Sequence, residues 1–519
     1  MDNLMRRAAL AALLLSPNAA DAQTTSAALT TSSSSTACAT VLTPSYSPPV
    51  VSPGWKAQLI ATGLSRPRGL KFDSKGGLLV IEAGVGLRRL TFTDNGGTCL
   101  SVKTNKTVIA DKELNHGLEL SEDGRTLYVS STENVYSYSY DPDAATVSNQ
   151  QRLVFNMSNA NGDHVTRTLL LSRKQPDLLL VSRGSSANID PLAAQQSSGI
   201  SQIRAFNISS SATAARRGPY NYPTDGLLVG WGLRNSVGVA EHPVTGGIWS
   251  VENSADDVRR EGRDVHEDNP GEELNFHGVL RDPATLGANH GYPSCFALWN
   301  TTAFPALGNL TVGSQFAESP NATLNDTTCA RTARPPRLTF RAHMAPLDLK
   351  FDDDDDGSAR AAFVSFHGSW DRDRAAGYKL ARVAFDAASG EPAEPSDSVA
   401  AAVDVLAAPD VLACPGAGGG GCMRPVGLAL NGTGAGRRLF VSSDATGEIW
   451  VVMRAGEGGE GGGGGTATGT AGAPASSTSS AAAAVAPLVG FRGAGWGGWA
   501  AVVGVTVAMA AVGGLVIAG

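Results

Sequence analysis

One pattern recurs six times between residues 55 and 454: a Gly or Pro, an apolar strand, a polar turn, a second apolar strand and often a third. It reads RPRGLKF…GGLLVIEAGVGLRRLTF from Arg66, NHGLELSEDGRTLYVSSTENVYSYSY from Asn115 and RTLLLSRKQPDLLLVSRG…SQIRAF from Arg167. It continues as GLRNSVGVAEHPVTGGIWSVE from Gly232, APLDLKFDDDDDGSARAAFVSFHGSW…YKLARVAF from Ala345 and RPVGLALNGTGAGRRLFVSSDATGEIWVV from Arg424. Each run alternates or stays apolar over a strand's length and is closed by Gly, Asp or Asn. Such a unit cannot bury its own faces, so neighbouring copies must stack, and a closed ring removes most free edges. The expected fold is therefore all-β, a six-bladed β-propeller. The 61 glycines suit its many tight turns, and a β-sandwich would lack the two-strand refrain. The interval from Asp256 to Pro336 is too long for a blade connection and reads as an excursion above one face.

The segments flanking the repeat have different compositions. Residues 1–22 carry Arg6 and Arg7, an apolar run from Ala8 to Leu15 and a small-x-small site at Ala20–Ala22, the form of a signal peptide. Residues 23–54 are a Ser/Thr/Pro-rich lead-in. Residues 455–498 are rich in Gly, Ala and Ser, and 499–519 form an uncharged apolar tail. A spacer followed by such a tail reads as a glycolipid (GPI) anchor signal with attachment near Ser476 to Ser480, or else as a transmembrane tail. A secreted, cell-surface protein is the expectation. Eight Asn-x-Ser/Thr sequons, at Asn105, Asn156, Asn207, Asn300, Asn309, Asn321, Asn325 and Asn431, agree with it. The six cysteines suit three disulfides: Cys414 with Cys422 across a Gly-rich loop, then Cys295 with Cys329 and Cys38 with Cys99. With 41 basic against 48 acidic residues the net charge is −7, which argues against a nucleic-acid partner.

Propeller chemistry sits in loops at the channel mouth, so polar residues beside the strands are the candidates. Asp163-His164 precedes the third unit, where a His beside an Asp serves either as a general base or as a loop residue capped by its neighbour. Arg234-Asn235 opens the fourth unit and suits capture of carboxylates, or else latches a blade. The turn Glu252 to Asp257, with Ser254 and Ala255 inside it, offers hard oxygens to calcium, although acidic turns are common. His367, Trp370 and Arg424 lie at corresponding positions of the last two units. Asp352 to Asp356 sits in a turn on the far side and reads as a solvated acidic run. No Gly-x-Gly-x-x-Gly follows a strand into a helix and no Gly-x-Ser-x-Gly elbow is present, which weighs against nicotinamide domains and serine hydrolases.

Nine motifs in order, SRPRGL, NHGLELSEDG, GDH, GLRNSVG, ENSADD, GEELN, NHGYP, FHGSW and RPVGLAL, are similar to those of the fungal pyrroloquinoline quinone (PQQ)-dependent pyranose dehydrogenases. The chain also resembles the wider group of sorbosone dehydrogenases and bacterial soluble glucose dehydrogenase, over Trp55 to Arg454. The resemblance implies a sugar substrate, PQQ and Ca2+ as cofactors, and an external electron acceptor such as a cytochrome, another redox protein or a quinone. It implies that His164 is the base that takes the sugar hydroxyl proton, with Asp163 beside it. Arg234, Asn235 and Arg424 match positions that hold the quinone, Arg68, His367 and Trp370 match motifs near its pocket, and Ser254 and Ala255 match backbone calcium ligands. The ENSADD turn is shorter than in the bacterial enzyme, and no cytochrome or cellulose-binding module accompanies the propeller.

Overall fold

The computed structural model describes Cys38 and residues 41–216, 218–353, 359–414, 416 and 421–456. The leader at 1–22, most of the lead-in, the linker beyond Gly456 and the apolar tail at 499–519 lie outside the described residues.

Six antiparallel blades follow one another around a channel. The first is built from Pro67–Phe72, Leu78–Glu82, Gly86–Asp94 and Leu100–Ile109. The second is Leu114–Leu120, Thr126–Ser131, Val135–Asp141 and Thr146–Phe155. The third is Leu169–Leu171, Leu178–Arg183, Gln202–Asn207 and Leu227–Trp231. The fourth is Ser236–Glu241, Gly247–Glu252, Glu272–Val279 and Leu338–Phe340. Pro346–Asp353, Ala359–Phe366, Lys379–Ala384 and Ala402–Ala407 make the fifth. The sixth takes three strands from the end of the repeat, Pro425–Asn431, Arg438–Ser443 and Glu448–Arg454, and its outermost strand, Trp55–Ala61, from the start. That pairing sews the ring shut and leaves the sheets no open seam.

Six apolar wedges, one between each pair of adjacent blades, replace a single core. Leu79, Ile81 and Leu87 of blade one meet Leu118, Leu127 and Val129 of blade two. Leu59, Leu428 and Val441 of blade six meet Phe363, Leu380 and Leu406 of blade five. A second strand therefore has a neighbour on both faces, and Leu78–Glu82 is buried throughout. This is why these strands read as continuous apolar runs in the sequence.

The first strands contact one another in turn around the channel, too closely for a side chain at one position. A Cβ on Gly117 would lie 2.2 Å from the Arg167 carbonyl, and one on Gly427 would lie 2.0 Å from the Arg68 carbonyl. A serine from the second strand bridges each contact. Ser130 Oγ accepts the Gly117 N–H at 3.1 Å and donates to the Arg167 carbonyl at 2.6 Å. Ser442 Oγ does the same between Gly427 and Arg68, at 2.8 Å on each side.

Two readings of the sequence change. The stretch from Asp256 to Pro336 is not a single excursion, because Glu272–Val279 returns as the third strand of blade four. Glu272, Glu273, Asn275 and His277 are buried there, and their polarity disguised the strand. Asp352 is not solvated: it is buried and ion-paired with Arg437 at 3.1 Å and Arg454 at 3.5 Å. Residues 354–358 of that acidic run lie outside the described residues. The disulfides form as expected, Cys38–Cys99, Cys295–Cys329 and Cys414–Cys422.

Candidate active site

At one end of the channel the first strands begin and the second strands end, and a ring of hydrogen-bonded polar residues surrounds the mouth. His164 sits in the loop before blade three with a left-handed backbone, φ +45°. Arg167 and Asn159, both buried, hold that loop: Arg167 Nη1 donates to the His164 carbonyl at 2.6 Å, and Asn159 Nδ2 donates to the Asp163 carbonyl at 2.7 Å. The imidazole Nδ1 lies 3.0 Å from the Ser185 carbonyl and 2.9 Å from its hydroxyl. A carbonyl only accepts, so Nδ1 carries the proton and Nε2 carries the lone pair. Nε2 has no hydrogen bond among the described residues. Burial, and then the Arg234 charge, push the imidazole down to about 4, so it is neutral near pH 7.

Asp163 does not join this arrangement. Its side chain is exposed, and Ser185, not Asp163, holds the ring. The left-handed residue that turns the imidazole inward leaves its neighbour facing solvent.

Arg234 and Asn235 do converge on His164, through Gly184. A Cβ on Gly184 would lie 2.6 Å from Asn235 Oδ1, 2.8 Å from His164 Cβ and 3.1 Å from the Arg234 carbonyl. The Arg234 guanidinium is buried and fully used. Nε donates to the Asn188 carbonyl at 3.0 Å, and Nη1 to the carbonyls of Ser254 at 2.6 Å and Asn253 at 3.4 Å. Nη2 donates to Asn188 Oδ1 at 2.9 Å and Asp256 Oδ2 at 2.6 Å. With five N–H groups committed, Arg234 clamps the Ser254 turn and offers the mouth its charge rather than a free donor. The Asn235 amide has no side-chain hydrogen bond among the described residues and stays available.

Behind that turn lie three buried carboxyls, Glu252, Glu272 and Glu273, all pushed up by burial, Glu272 to about 7. Glu252 accepts the Arg234 backbone N–H at 2.6 Å, and Glu272 accepts those of Ser254 at 2.7 Å and Ala345 at 2.9 Å. Glu252 opens the ENSADD turn, and Glu272 and Glu273 lie in the GEELN motif, without a role assigned from the sequence; Asn188 and Ser185 had no distinguishing signal there. Ala255 is buried, and its carbonyl accepts no hydrogen bond among the described residues. Asp256 continues the ring to His343 Nδ1 at 3.4 Å, and His343 Nε2 lies 3.9 Å from Asp371.

Arg68, His367 and Arg424 form the opposite arc. Arg424 Nε and Nη2 donate to the carbonyls of His367 at 3.1 Å and Gly368 at 2.6 Å, and Nη1 donates to that of Gly416 at 3.0 Å. One N–H on each terminal nitrogen is left over among the described residues. Arg68 reaches Asp444 Oδ2 at 2.5 Å and His116 Nδ1 at 3.3 Å, with Nη2 unused among the described residues. His367 Nε2 meets Asp444 Oδ1 at 2.7 Å. Trp370, on the same loop as His367, is 57% exposed, whereas Arg424 is buried and Arg68 and His367 are half-buried. The leftover donors belong to cations and an amide, which suits an anionic, oxygen-rich ligand.

The sequence matches the TrAA12-like family over residues 49–455. A Hypocrea jecorina (strain QM6a) protein named pyrroloquinoline quinone-dependent sugar dehydrogenase is 52% identical over 417 residues, covering 80% of this chain and 91% of that protein. The calcium structure of a Trichoderma reesei Carbohydrate-Active Enzymes Family AA12 protein, also 52% identical, gives a TM-score of 0.75 over 80% of this chain and 100% of that one. The holo form of the pyranose dehydrogenase PQQ domain from Coprinopsis cinerea, 35% identical, gives 0.73 over 80% and 99%. On this evidence the chain belongs to the TrAA12-like family.

Proposed function

We propose that this chain is a PQQ-dependent sugar dehydrogenase in which His164 Nε2 removes the sugar hydroxyl proton. The observation that carries the reading is the state of that imidazole, neutral, with its lone pair on Nε2 and its ring fixed by Ser185. The names of the similar proteins from Hypocrea jecorina and Coprinopsis cinerea support the choice of cofactor. Bound at the mouth, the quinone supplies the hydride acceptor. Asn235, the spare N–H groups of Arg424 and Nη2 of Arg68 would hold its oxygens. Burial, and then the fixed positive charge of Arg234 beside it, keep the His164 imidazole unprotonated and ready to accept.

Calcium belongs to the same proposal, with the Ala255 carbonyl as one ligand and the second lone pair of the Ser254 carbonyl, which Arg234 Nη1 holds in place at 2.6 Å, as another. The calcium structure of the Trichoderma reesei relative supports this. A cell-surface location, a glycolipid anchor and an external electron acceptor complete the proposal and rest on the sequence alone.

Titrating the apo protein with calcium and PQQ tests the reading. Stoichiometric uptake, a quinone absorbance band and sugar-dependent dye reduction are expected, and absence of uptake overturns it. His164→Ala should lower turnover by about 10²–10⁴-fold and leave quinone uptake intact. Unchanged turnover would reject the base assignment.

A further inference from the structure

Among the arginines and histidines of the mouth's opposite arc stands one carboxylate that the functional reading does not use, Asp444. It occupies the turn between Arg438–Ser443 and Glu448–Arg454. Its side chain is only 13% exposed. Oδ1 accepts from His367 Nε2 at 2.7 Å and Oδ2 from Arg68 Nη1 at 2.5 Å. A carboxylate only accepts, so the His367 proton stays on Nε2 and its lone pair on Nδ1. Arg68 passes the constraint on. Its Nε donates to His116 Nδ1 at 3.3 Å, so the proton of a neutral His116 sits on Nε2. His116 is 5% exposed, and burial, then the Arg68 charge, keep it well below the ordinary imidazole range. One carboxylate thereby sets two imidazole tautomers and one guanidinium across four consecutive blades: five, six, one and two.

We propose that Asp444 is a positioning residue for the cofactor, orienting His367, Arg68 and, through Arg68, His116 toward the quinone. The proposal rests on the quinone reading above. Burial alone would raise the Asp444 carboxyl, but the His367 hydrogen bond and the charges of His367, Arg68 and Arg424 hold it far below the usual carboxylate range. It is therefore anionic throughout the working pH range.

The sign of one measurement separates positioning from bulk charge. Asp444→Asn removes a negative charge, so electrostatics alone would make an anionic quinone bind more tightly. Positioning demands the reverse, because an amide cannot accept from both partners with the same charge-assisted strength. The expected result is a PQQ Kd about tenfold higher in Asp444→Asn, as expected when hydrogen bonds to charged groups weaken, with partial recovery in Asp444→Glu, in apo protein whose lowered unfolding midpoint still lies above the assay temperature. Equal or tighter binding overturns the proposal. A second measurement needs no cofactor. Histidine-selective 15N spectra of the wild-type apo protein should show His367 as the Nε2–H tautomer, and Asp444→Asn should shift it toward a mixture. An unchanged tautomer overturns the proposal even if Kd changes. Wild-type protein that takes up no quinone refutes the functional reading instead, and the tautomer measurement still decides the role of Asp444.

Discussion

Gly184→Ala is the sharpest probe of the site, because it adds one methyl group where three active-site atoms meet. Gly184 follows the second strand of blade three and has no left-handed backbone, so alanine brings no conformational penalty. The new Cβ would start 2.8 Å from His164 Cβ and 2.6 Å from Asn235 Oδ1. Carbon atoms rest about 3.5–4.0 Å apart, so about 0.7–1.2 Å must be made up by movement of these side chains. Buried Asn159 and Arg167 brace the His164 loop from behind, so the displacement falls on the imidazole and the amide. A misplacement of about 1 Å costs about 10²-fold in rate, equivalent to about 2.7 kcal/mol in the barrier. Overpacking costs about 1–3 kcal/mol of stability, which leaves a protein of this size folded. The assay is sugar-dependent dye reduction with saturating quinone, read as kcat/KM, alongside thermal unfolding. Gly218→Ala, where a Cβ meets nothing within 4 Å, is the control. If Gly184→Ala keeps kcat/KM within about twofold of wild type, the inference that His164 and Asn235 must hold this separation is wrong.

Three further outcomes follow from the same structure. His164 falls from 6.5 to about 4 on folding, so the unfolded chain takes the proton first as pH drops. Stability should decrease by about 3 kcal/mol between pH 6.5 and 4 from this residue, and His164→Gln should flatten that slope in urea melts, while kcat/KM in the wild type should keep its base limb down to about pH 4. Ser442→Ala strands the Gly427 N–H and the Arg68 carbonyl, and should cost about 2–4 kcal/mol in denaturant unfolding. Converting Cys38 and Cys99 to serine opens a loop of 61 residues and should cost about 4 kcal/mol by chain entropy, measured as a lower unfolding midpoint without loss of quinone uptake.

The ring was legible because its physics is periodic. Every second strand is buried on both faces, so each blade repeats the same apolar run, and each run stops at the mouth. The mouth residues follow from that register. The positions just after the second strands are Ala83, Thr132, Gly184, Asn253, His367 and Asp444. His367 was singled out there with Trp370 and Arg424, at corresponding positions of the last two units. Gly184 and Asp444 occupy equivalent positions and were not singled out, although aligning the repeats strand by strand reaches both. Blade four shows the opposite case. Glu272, Glu273 and His277 make a buried strand look like loop, because the apolar pattern is a rule about desolvation and these side chains satisfy it by hydrogen bonding instead. The partners of His164 were out of reach for another reason. Ser185 is 21 residues away in sequence, and of its two contacts with the ring the carbonyl is one that no residue type advertises, while its hydroxyl is one among many serines.

Arg234 shows why residue type identifies a site more reliably than it assigns roles within one. The guanidinium next to an asparagine read either as a fork for carboxylates or as a blade latch, and the structure spends all five of its N–H groups on Asn188 and the Ser254 turn. A buried cation with five satisfied donors still acts at a distance, because a low-dielectric surround carries its field to His164. Lysine at this position would keep the charge but not the fork, so it could not hold two carbonyls, an amide oxygen and a carboxylate together. Arg234→Lys should therefore leave the His164 imidazole below its ordinary range while loosening the 253–256 turn. That outcome would appear as weaker calcium uptake with a preserved low-pH limb in kcat/KM. A variant that instead moved the limb toward 6.5 and kept calcium uptake would place the influence of Arg234 in its field geometry, and the clamp would be secondary.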